Sequence, residues 1–523
     1  MNPANSGQRP RVVIIGAGLA GCTAALSALE AGAAVLMLDR GGLGLGTNSA
    51  LANGVFAGPT SAYPAGQYLD DTVAVGKDLN RRELLAVAAE RAAEAFAFLA
   101  PHGLDLAEGP ASYSFRSPRP DVFRGAEMMR ALAASLRGRP GFAFRAGFQV
   151  DKLVVEGGRL AGVEGWERDG RRVLIPAAAA ILATGGAAAI YARNDNQKSS
   201  LGQGWLLASR AGLDLYDMEF VQFYPLVMDQ PGLPQVMLYP PYPKQARLVD
   251  AQGNDVAAAH GLTDLDQAIV LLRDAFAALV HRAAQAGPVY MDYTAVPESA
   301  WADYPMAMFK HLRHDFRRRP VRVMPGAHFC MGGVRIDPQT RTDLPGLLAC
   351  GEAAWGLHGA NRRGGNALTE CVVFGRIAGQ TAAELAGGAG PAGPERETAP
   401  APAADPAPGP EPRRLLAELR AIAWRRAGVE RDAAGLAAGL AELAGLRTEL
   451  AALPAAGPAQ ARRREDLMAA ELCLRAVLLA SQGRRESRGS FARADFPEPG
   501  AARLHSRLRP AAEGGLGLAY IPA

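Results

Sequence analysis

The hydrophobic pattern is sharpest at the start of the chain. A short apolar run, Val12–Ile15, has the length and β-branched content of a buried strand. Glycines at 16, 18 and 21 follow, and an Ala/Leu-rich stretch to about Ala31 predicts a helix. A second apolar run, Val35–Leu38, predicts another strand and ends on Asp39. Strand, glycine turn, helix, strand and acid stand in the order of a dinucleotide-binding unit. Gly16 is expected to permit the tight turn, Gly18 to let a pyrophosphate approach the backbone, and Gly21 to let helix and strand pack closely. The helix N-terminus then presents free N–H groups to the phosphates. Gly16, Gly18, Ala20 and Gly21 are therefore candidate cofactor contacts. So are Asp39, a candidate acceptor for a ribose hydroxyl, and Arg40 beside it.

The stretch Gly41–Gly58 is too glycine-rich to predict a regular element. Its short polar side chains, Thr47, Asn48, Ser49 and Asn53, with Gly54, suit a loop laid along a flat flavin. Periodicity predicts helices over about 82–100 and Gly125–Leu136, and antiparallel strands over 141–175 with turns at Gly157-Gly158 and Asp169-Gly170. The apolar run Ala178–Leu182 ends in Ala183, Thr184, Gly185 and Gly186, again bringing backbone close to a cofactor. Gly202-Gln203-Gly204 opens a helix ending near Gly212, followed by an extended apolar segment.

Beyond residue 228 the pattern changes. Pro/Tyr turns, helices around Leu265–Ala286 and the basic stretch Lys310–Arg322, expected as a solvated helix face, read as an insertion. Residues 331–387 return to the first style. The expected organisation is an α/β protein: a Rossmann-like dinucleotide-binding domain in two parts (1–228 and 331–387), a second domain inserted at 229–330, an Ala/Pro-rich linker at 388–412 and a C-terminal helical domain at 413–523.

Composition adds mainly exclusions. A net charge of +4 over 523 residues argues against nucleic acid as a partner, and no apolar run is long enough to span a membrane. The first ten residues lack a signal-peptide core, so a cytoplasmic location is expected, with any membrane association through a partner. The five cysteines are scattered without a CxxC pair, offering neither a disulfide framework nor an iron–sulfur ligand set, and no metal site is expected.

With these blocks in order, the chain resembles the succinate dehydrogenase/fumarate reductase flavoprotein family, which includes L-aspartate oxidase. The matching stretches are Gly16–Gly21, Ala183–Gly186, Asp217–Phe223, Val289–Asp292, Ala327–Val334, Cys350–Leu368 and Arg484–Glu498. The resemblance implies a Rossmann-like FAD-binding domain with an inserted α+β capping domain and a C-terminal helical domain, and a hydride exchanged between FAD and a carbon–carbon bond beside a carboxylate of a small-molecule substrate. It implies that Arg362 and His328 contact the substrate and that Glu352, after Gly351, contacts the FAD ribose. It places Asn366, Ala367 and Leu368 under the flavin ring, and Arg363 is a further candidate there. A guanidinium suits a carboxylate because it can fork onto both oxygens.

Three departures from the family pattern stand out. The loop after the nucleotide strand has Thr47-Asn48-Ser49 and no histidine, so FAD is expected to be non-covalent. The substrate histidine of the family's QFHPT motif is replaced by Tyr224. Near the place of the proton-donating arginine stand Tyr242 and, two residues on, Lys244, both candidates to relay a proton. Losing two charged contacts implies a less charged or larger substrate than fumarate. An alternative is a flavin electron-transfer subunit. With no cluster or haem motif in the chain, electrons are expected to pass to an iron–sulfur protein, a soluble donor, a quinone-linked subunit or oxygen. Arg485 and Arg488 are expected to meet acids of the flavin domain or to form surface ion pairs.

Overall fold

The computed structural model describes residues 11–389, 393–399, 411–455 and 457–523. The expectations for the first ten residues and for most of the linker lie outside the described residues. At the centre is a five-stranded parallel sheet. Strand β1 (Arg11–Ile15) lies between β2 (Ala34–Asp39) and the strand Ala179–Leu182, with Phe142–Ala146 at one edge and Leu347–Ala349 at the other. Both central strands are buried on both faces, which is why their sequences are continuous apolar runs.

Helix α1 (Leu19–Glu30) crosses from β1 to β2 and packs against the helix Asn366–Gly388. The two come very close. A Cβ added at Gly375 would stand 2.7 Å from the Ala20 carbonyl oxygen, and one at Gly379 would stand 2.3 Å from that of Ala24. The segment at 331–388 thus returns to the N-terminal unit through a glycine-lined helix contact.

The segment between has its own core. Tyr224, Leu238, Tyr242, Phe276, Val289, Phe309 and Val323 belong to one buried cluster, beside an antiparallel sheet ordered Val221–Met228, Val321–Cys330, Val289–Asp292, Arg247–Val249. Two helices, Leu265–Leu271 and Arg273–Ala286, cover the predicted helical stretch. The helices Glu411–Arg426, Ala433–Ala451 and Pro458–Gly483 pack on one another.

Several local expectations need correction. The glycine-rich loop contains a short strand, Val55–Ala57, paired with Ser112–Phe115. Phe142–Ala146 joins the parallel sheet rather than the antiparallel strands beside it. The basic stretch carries no helix beyond His311; most of its charged side chains are exposed, while Phe316 and Val321 are buried in the core of the inserted segment. Within the supposed linker, Arg396–Ala399 is a strand on Arg172–Pro176. The C-terminal segment ends in a hairpin, Leu504–Pro510 with Leu516–Pro522, which pairs back onto Leu215–Tyr216.

Candidate active site

The N-terminal glycines divide their work. Gly16 has φ +110°, and a Cβ there would stand 2.3 Å from the Ala183 carbonyl oxygen. A Cβ on Gly21 would stand 2.1 Å from the Gly16 oxygen. Both are glycines because backbone meets backbone. Gly18 is different: its nearest protein neighbours would be Ser49 Oγ at 3.4 Å and Thr47 Cβ at 4.0 Å. Room is left there, beside the first turn of α1. Ser49 Oγ accepts from the Leu19 N–H at 3.0 Å, and Thr47 Oγ1 is buried without a partner. Thr184 Oγ1 is likewise orphaned and lies against Gly204, where an added Cβ would stand 1.9 Å from it, while Gly185, at φ +74°, has nothing within 4 Å of an added Cβ. Buried polar atoms without partners are uncommon in folded proteins. Here they stand beside backbone left bare by glycine, a cradle that fits a dinucleotide pyrophosphate.

Asp39 is placed as expected at the end of β2, but its two oxygens already accept from the Ala17 N–H (2.8 Å) and the Gly41 N–H (2.6 Å). Burial raises its pKa against those bonds. Arg40 turns away to fork onto Asp466 of the C-terminal helices at 2.6 and 3.1 Å. Asn48 Oδ1 accepts from the Gln197 N–H, and Asn53 Oδ1 accepts from the Tyr304 hydroxyl. Gly54 packs on Arg124 and Phe115. Gly351 has φ +65° and faces the Ala20 methyl.

Glu352 is half-buried and accepts from the Cys330 N–H at 3.0 Å; it lies against Gly186, where an added Cβ would stand 2.3 Å from Glu352 Oε1. Burial pushes its carboxyl up to about 7. Asn366 is fully buried at the first turn of its helix. Its oxygen accepts from the Tyr68 hydroxyl at 3.0 Å while its Nδ2 is unpartnered. Ala367 and Leu368 continue that turn. Arg363 bonds the Tyr63 hydroxyl at 2.8 Å and lies over the Tyr63 and Tyr68 rings.

Arg362 is 5% exposed. Its Nη2 donates to Gln222 Oε1 at 2.9 Å, its plane lies over Phe329 at 4.5 Å, and its Nε is buried with no partner. Burial, then the nearby Arg273 cation, draws its pKa down to about 9. Arg273 comes from the first turn of Arg273–Ala286. It donates to the Arg362 carbonyl at 3.2 Å, and its Nε is also buried and unpartnered. The expectation of a site short of cations is corrected here: a second guanidinium enters from a helix 89 residues upstream of Arg362.

His328 sits where the ladder between Val221–Met228 and Val321–Cys330 slips. Gln222 pairs with Phe329 and Phe223 with Ala327, leaving His328 as the extra residue of a bulge. Its Nδ1 bonds Asp195 Oδ2 at 2.8 Å. Asp195 is held by Ala327 through its own N–H (3.3 Å), and its other carboxylate oxygen accepts from Asn196 Nδ2 (3.1 Å).

Of the three residues at the places of lost family groups, the two tyrosines are already engaged. The Tyr224 and Tyr242 hydroxyls lie 2.8 Å apart, and both bond the Leu238 carbonyl. Burial pushes both phenols far above their ordinary value. Lys244 is exposed and makes none of these bonds. Gln222, Arg273 and Asp195 were missed from sequence. Gln222 alone carried a signal, standing in the Gln222-Phe223-Tyr224-Pro225 motif.

Residues 11–368 match the FAD binding domain family, and residues 416–509 match the fumarate reductase flavoprotein C-terminal family. The chain belongs to the succinate dehydrogenase/fumarate reductase flavoprotein family. It is an FAD-dependent oxidoreductase. An L-aspartate oxidase of Agrobacterium fabrum is 32% identical to this flavoprotein, over 96% of its chain and 94% of the relative. One of the subunits of the fumarate reductase (CoM/CoB) of Methanothermobacter marburgensis is 29% identical, over 93% and 94%. The flavoprotein also superposes on the FrdA chain of Escherichia coli quinol fumarate reductase with a TM-score of 0.85, covering 98% of this chain and 96% of that one at 22% identity, a likeness of fold. No described helix is long and apolar enough to cross a membrane, and no described cluster of His, Cys, Asp or Glu could hold a metal ion.

Proposed function

We propose that this flavoprotein exchanges a hydride with a carbon–carbon bond beside a carboxylate, and that Arg362 binds that carboxylate. One observation carries the reading. Arg362 is a buried cation whose bonds go to neutral groups, the Gln222 amide and, at 3.5 Å, the Arg363 carbonyl, with Nε left over. The carboxylates of Glu352, Glu370 and Asp195 act on it, but none forms an ion pair with it, and a buried charge without a direct ion pair is costly. An anionic substrate supplies what is missing. An electron relay with no substrate of its own requires no such cation.

FAD, when bound, supplies or takes up the hydride and its two electrons. The residues that would hold it are Gly18, Thr47, Ser49, Thr184, Gly185 and Asn366, whose free backbone or unpartnered atoms line the cradle. Asp39 and Glu352 would take ribose hydroxyls. With Thr47-Asn48-Ser49 in the loop after β2 and no histidine before His102, attachment is non-covalent. Arg362 and Arg273 fix the substrate and offset the negative charge that builds on its carboxylate. Aspartate and fumarate, named in the descriptions of two relatives, each carry two carboxylates, which suits two adjacent guanidinium groups. Electrons pass to or from a separate carrier or oxygen, since the five cysteines stand singly.

The test is anaerobic. The protein is purified with FAD, reduced with dithionite, and mixed with fumarate and a panel of larger and aromatic enoates while the flavin absorbance is followed. The oxidised protein is treated in parallel with succinate and L-aspartate. Reoxidation by an enoate is expected, and Arg362→Met should abolish it with FAD still bound. No electron exchange with any acid, beside rapid exchange with a co-expressed iron–sulfur protein, would favour the relay.

A further inference from the structure

Hydride transfer to a carbon–carbon double bond also needs a proton for the second carbon. The groups first expected to give it are Tyr242, whose hydroxyl is turned onto the Leu238 carbonyl, and Lys244, which lies on the surface. A different pair is built for the task. A carboxylate can only accept, so the 2.8 Å contact between His328 and Asp195 puts a hydrogen on Nδ1. That fixes the ring and leaves Nε2 as the working nitrogen. Nε2 makes no hydrogen bond among the described residues, and the His328 side chain is 23% exposed while Asp195 is 3% exposed. The bulge at His328 removes it from the strand alternation, and the loop Arg193–Asn196 runs along the bulged strand to bring Asp195 behind it. Asn196 bonds both the Asp195 carboxylate and the His328 carbonyl, at 3.1 and 3.0 Å. The Tyr224 ring flanks the imidazole at 5.6 Å between centroids.

We infer that His328 is the proton-exchanging catalytic residue of this flavoprotein and that Asp195 is its positioning residue. The inference rests on the hydride-exchange reading above. In the reducing direction the Nε2–H bond of the protonated ring breaks. A C–H bond forms with the electron pair of the double bond, at the carbon that does not receive the hydride. The ring is left neutral with its Nδ1–H still on Asp195, and water at the exposed edge returns a proton to Nε2. In the oxidising direction neutral Nε2 takes the same proton from carbon.

Three measurements on the FAD-loaded protein test this, with the acid found to exchange electrons as the substrate. Asp195→Asn is expected to lower kcat about tenfold to a hundredfold with KM little changed, because it disturbs proton transfer rather than binding. His328→Ala is expected to fall further and to regain activity with added imidazole, with less rescue in His328→Ala/Asp195→Asn. Independently of turnover, the Nδ1 proton held by Asp195 should give a downfield proton resonance, absent in Asp195→Asn and in His328→Ala. Unchanged kcat in Asp195→Asn, or no imidazole rescue in a folded, FAD-replete His328→Ala, overturns the assignment while hydride exchange stands. If wild-type protein exchanges electrons with no acid, both the reading and this assignment fall.

Discussion

Gln222 holds Arg362 from both ends: its amide oxygen accepts from Arg362 Nη2 and its amide nitrogen donates to the Arg362 carbonyl, each at 2.9 Å. The same nitrogen also bonds Asn361 Oδ1 at 2.8 Å. One neutral side chain thus fixes both the backbone and the charged end of this buried arginine. Gln222→Leu leaves buried donors and acceptors unpaired, each costing about 1–3 kcal/mol. Denaturant titration should show lower stability. The KM for a carboxylate substrate should rise, since the guanidinium is no longer aimed. A leucine variant with wild-type KM would mean that Gln222 does not orient Arg362.

Gly18 and Gly21 separate packing from cofactor space. Gly21→Ala drives a methyl into the Gly16 oxygen, so lower expression and a lower Tm are expected. Gly18 has φ −75° and ψ −174°, open to any residue, with only a side-chain oxygen at 3.4 Å. Gly18→Ala should therefore fold with near wild-type stability as apoprotein and yet bind FAD at least tenfold more weakly in a fluorescence titration. Normal FAD affinity in that variant would place the pyrophosphate elsewhere.

Glu352 makes the apoprotein's stability depend on pH in a defined sense. Burial raises its folded-state pKa from 4.5 to about 7, outweighing the Cys330 N–H bond and the Arg362 charge. The folded state holds this proton more tightly than the unfolded chain does. The resulting stability is fully present below about pH 4.5 and is lost as pH rises through about 7. At about 1.4 kcal/mol per pKa unit this is on the order of 3 kcal/mol. Glu352→Gln should flatten that slope when urea unfolding of the two apoproteins is compared at pH 5 and pH 8. Parallel slopes would contradict a raised pKa.

Arg273 should matter to substrate charge. Arg273→Gln is expected to weaken a dicarboxylate more than the matching monocarboxylate, by about tenfold to a hundredfold for one lost charge-assisted contact. Perturbation of the flavin spectrum on titration reads both affinities. Equal losses for the two acids would assign Arg273 to holding the 361–364 loop alone.

The C-terminal segment shows how close a sequence reading can come and still miss by one position. Arg485 is exposed, whereas its neighbour Arg484 is buried and bonds Glu219 (2.6 Å) and Glu486 (2.7 Å). Arg488 pairs with that same Glu486 at 2.7 Å. Charge type was legible there, but which arginine faces inward depends on how the chain leaves the helix Pro458–Gly483.

From sequence alone came β1, α1 and β2, the cofactor class, and the place of Arg362 and His328 in family motifs. Those features are local: a strand's apolar run and the glycines that let a backbone close on itself are written within some thirty consecutive residues. The partners that give the site its chemistry are not. Asp195 reaches His328 across 133 residues, and Arg273 reaches Arg362 across 89. Which residue of Val321–Cys330 swings out depends on a slip against a second strand, and no single-strand pattern encodes it. Side chains distant in the chain meet only after the sheets have packed, so the pairing of His328 with Asp195 and the approach of Arg273 to Arg362 were decided by tertiary structure.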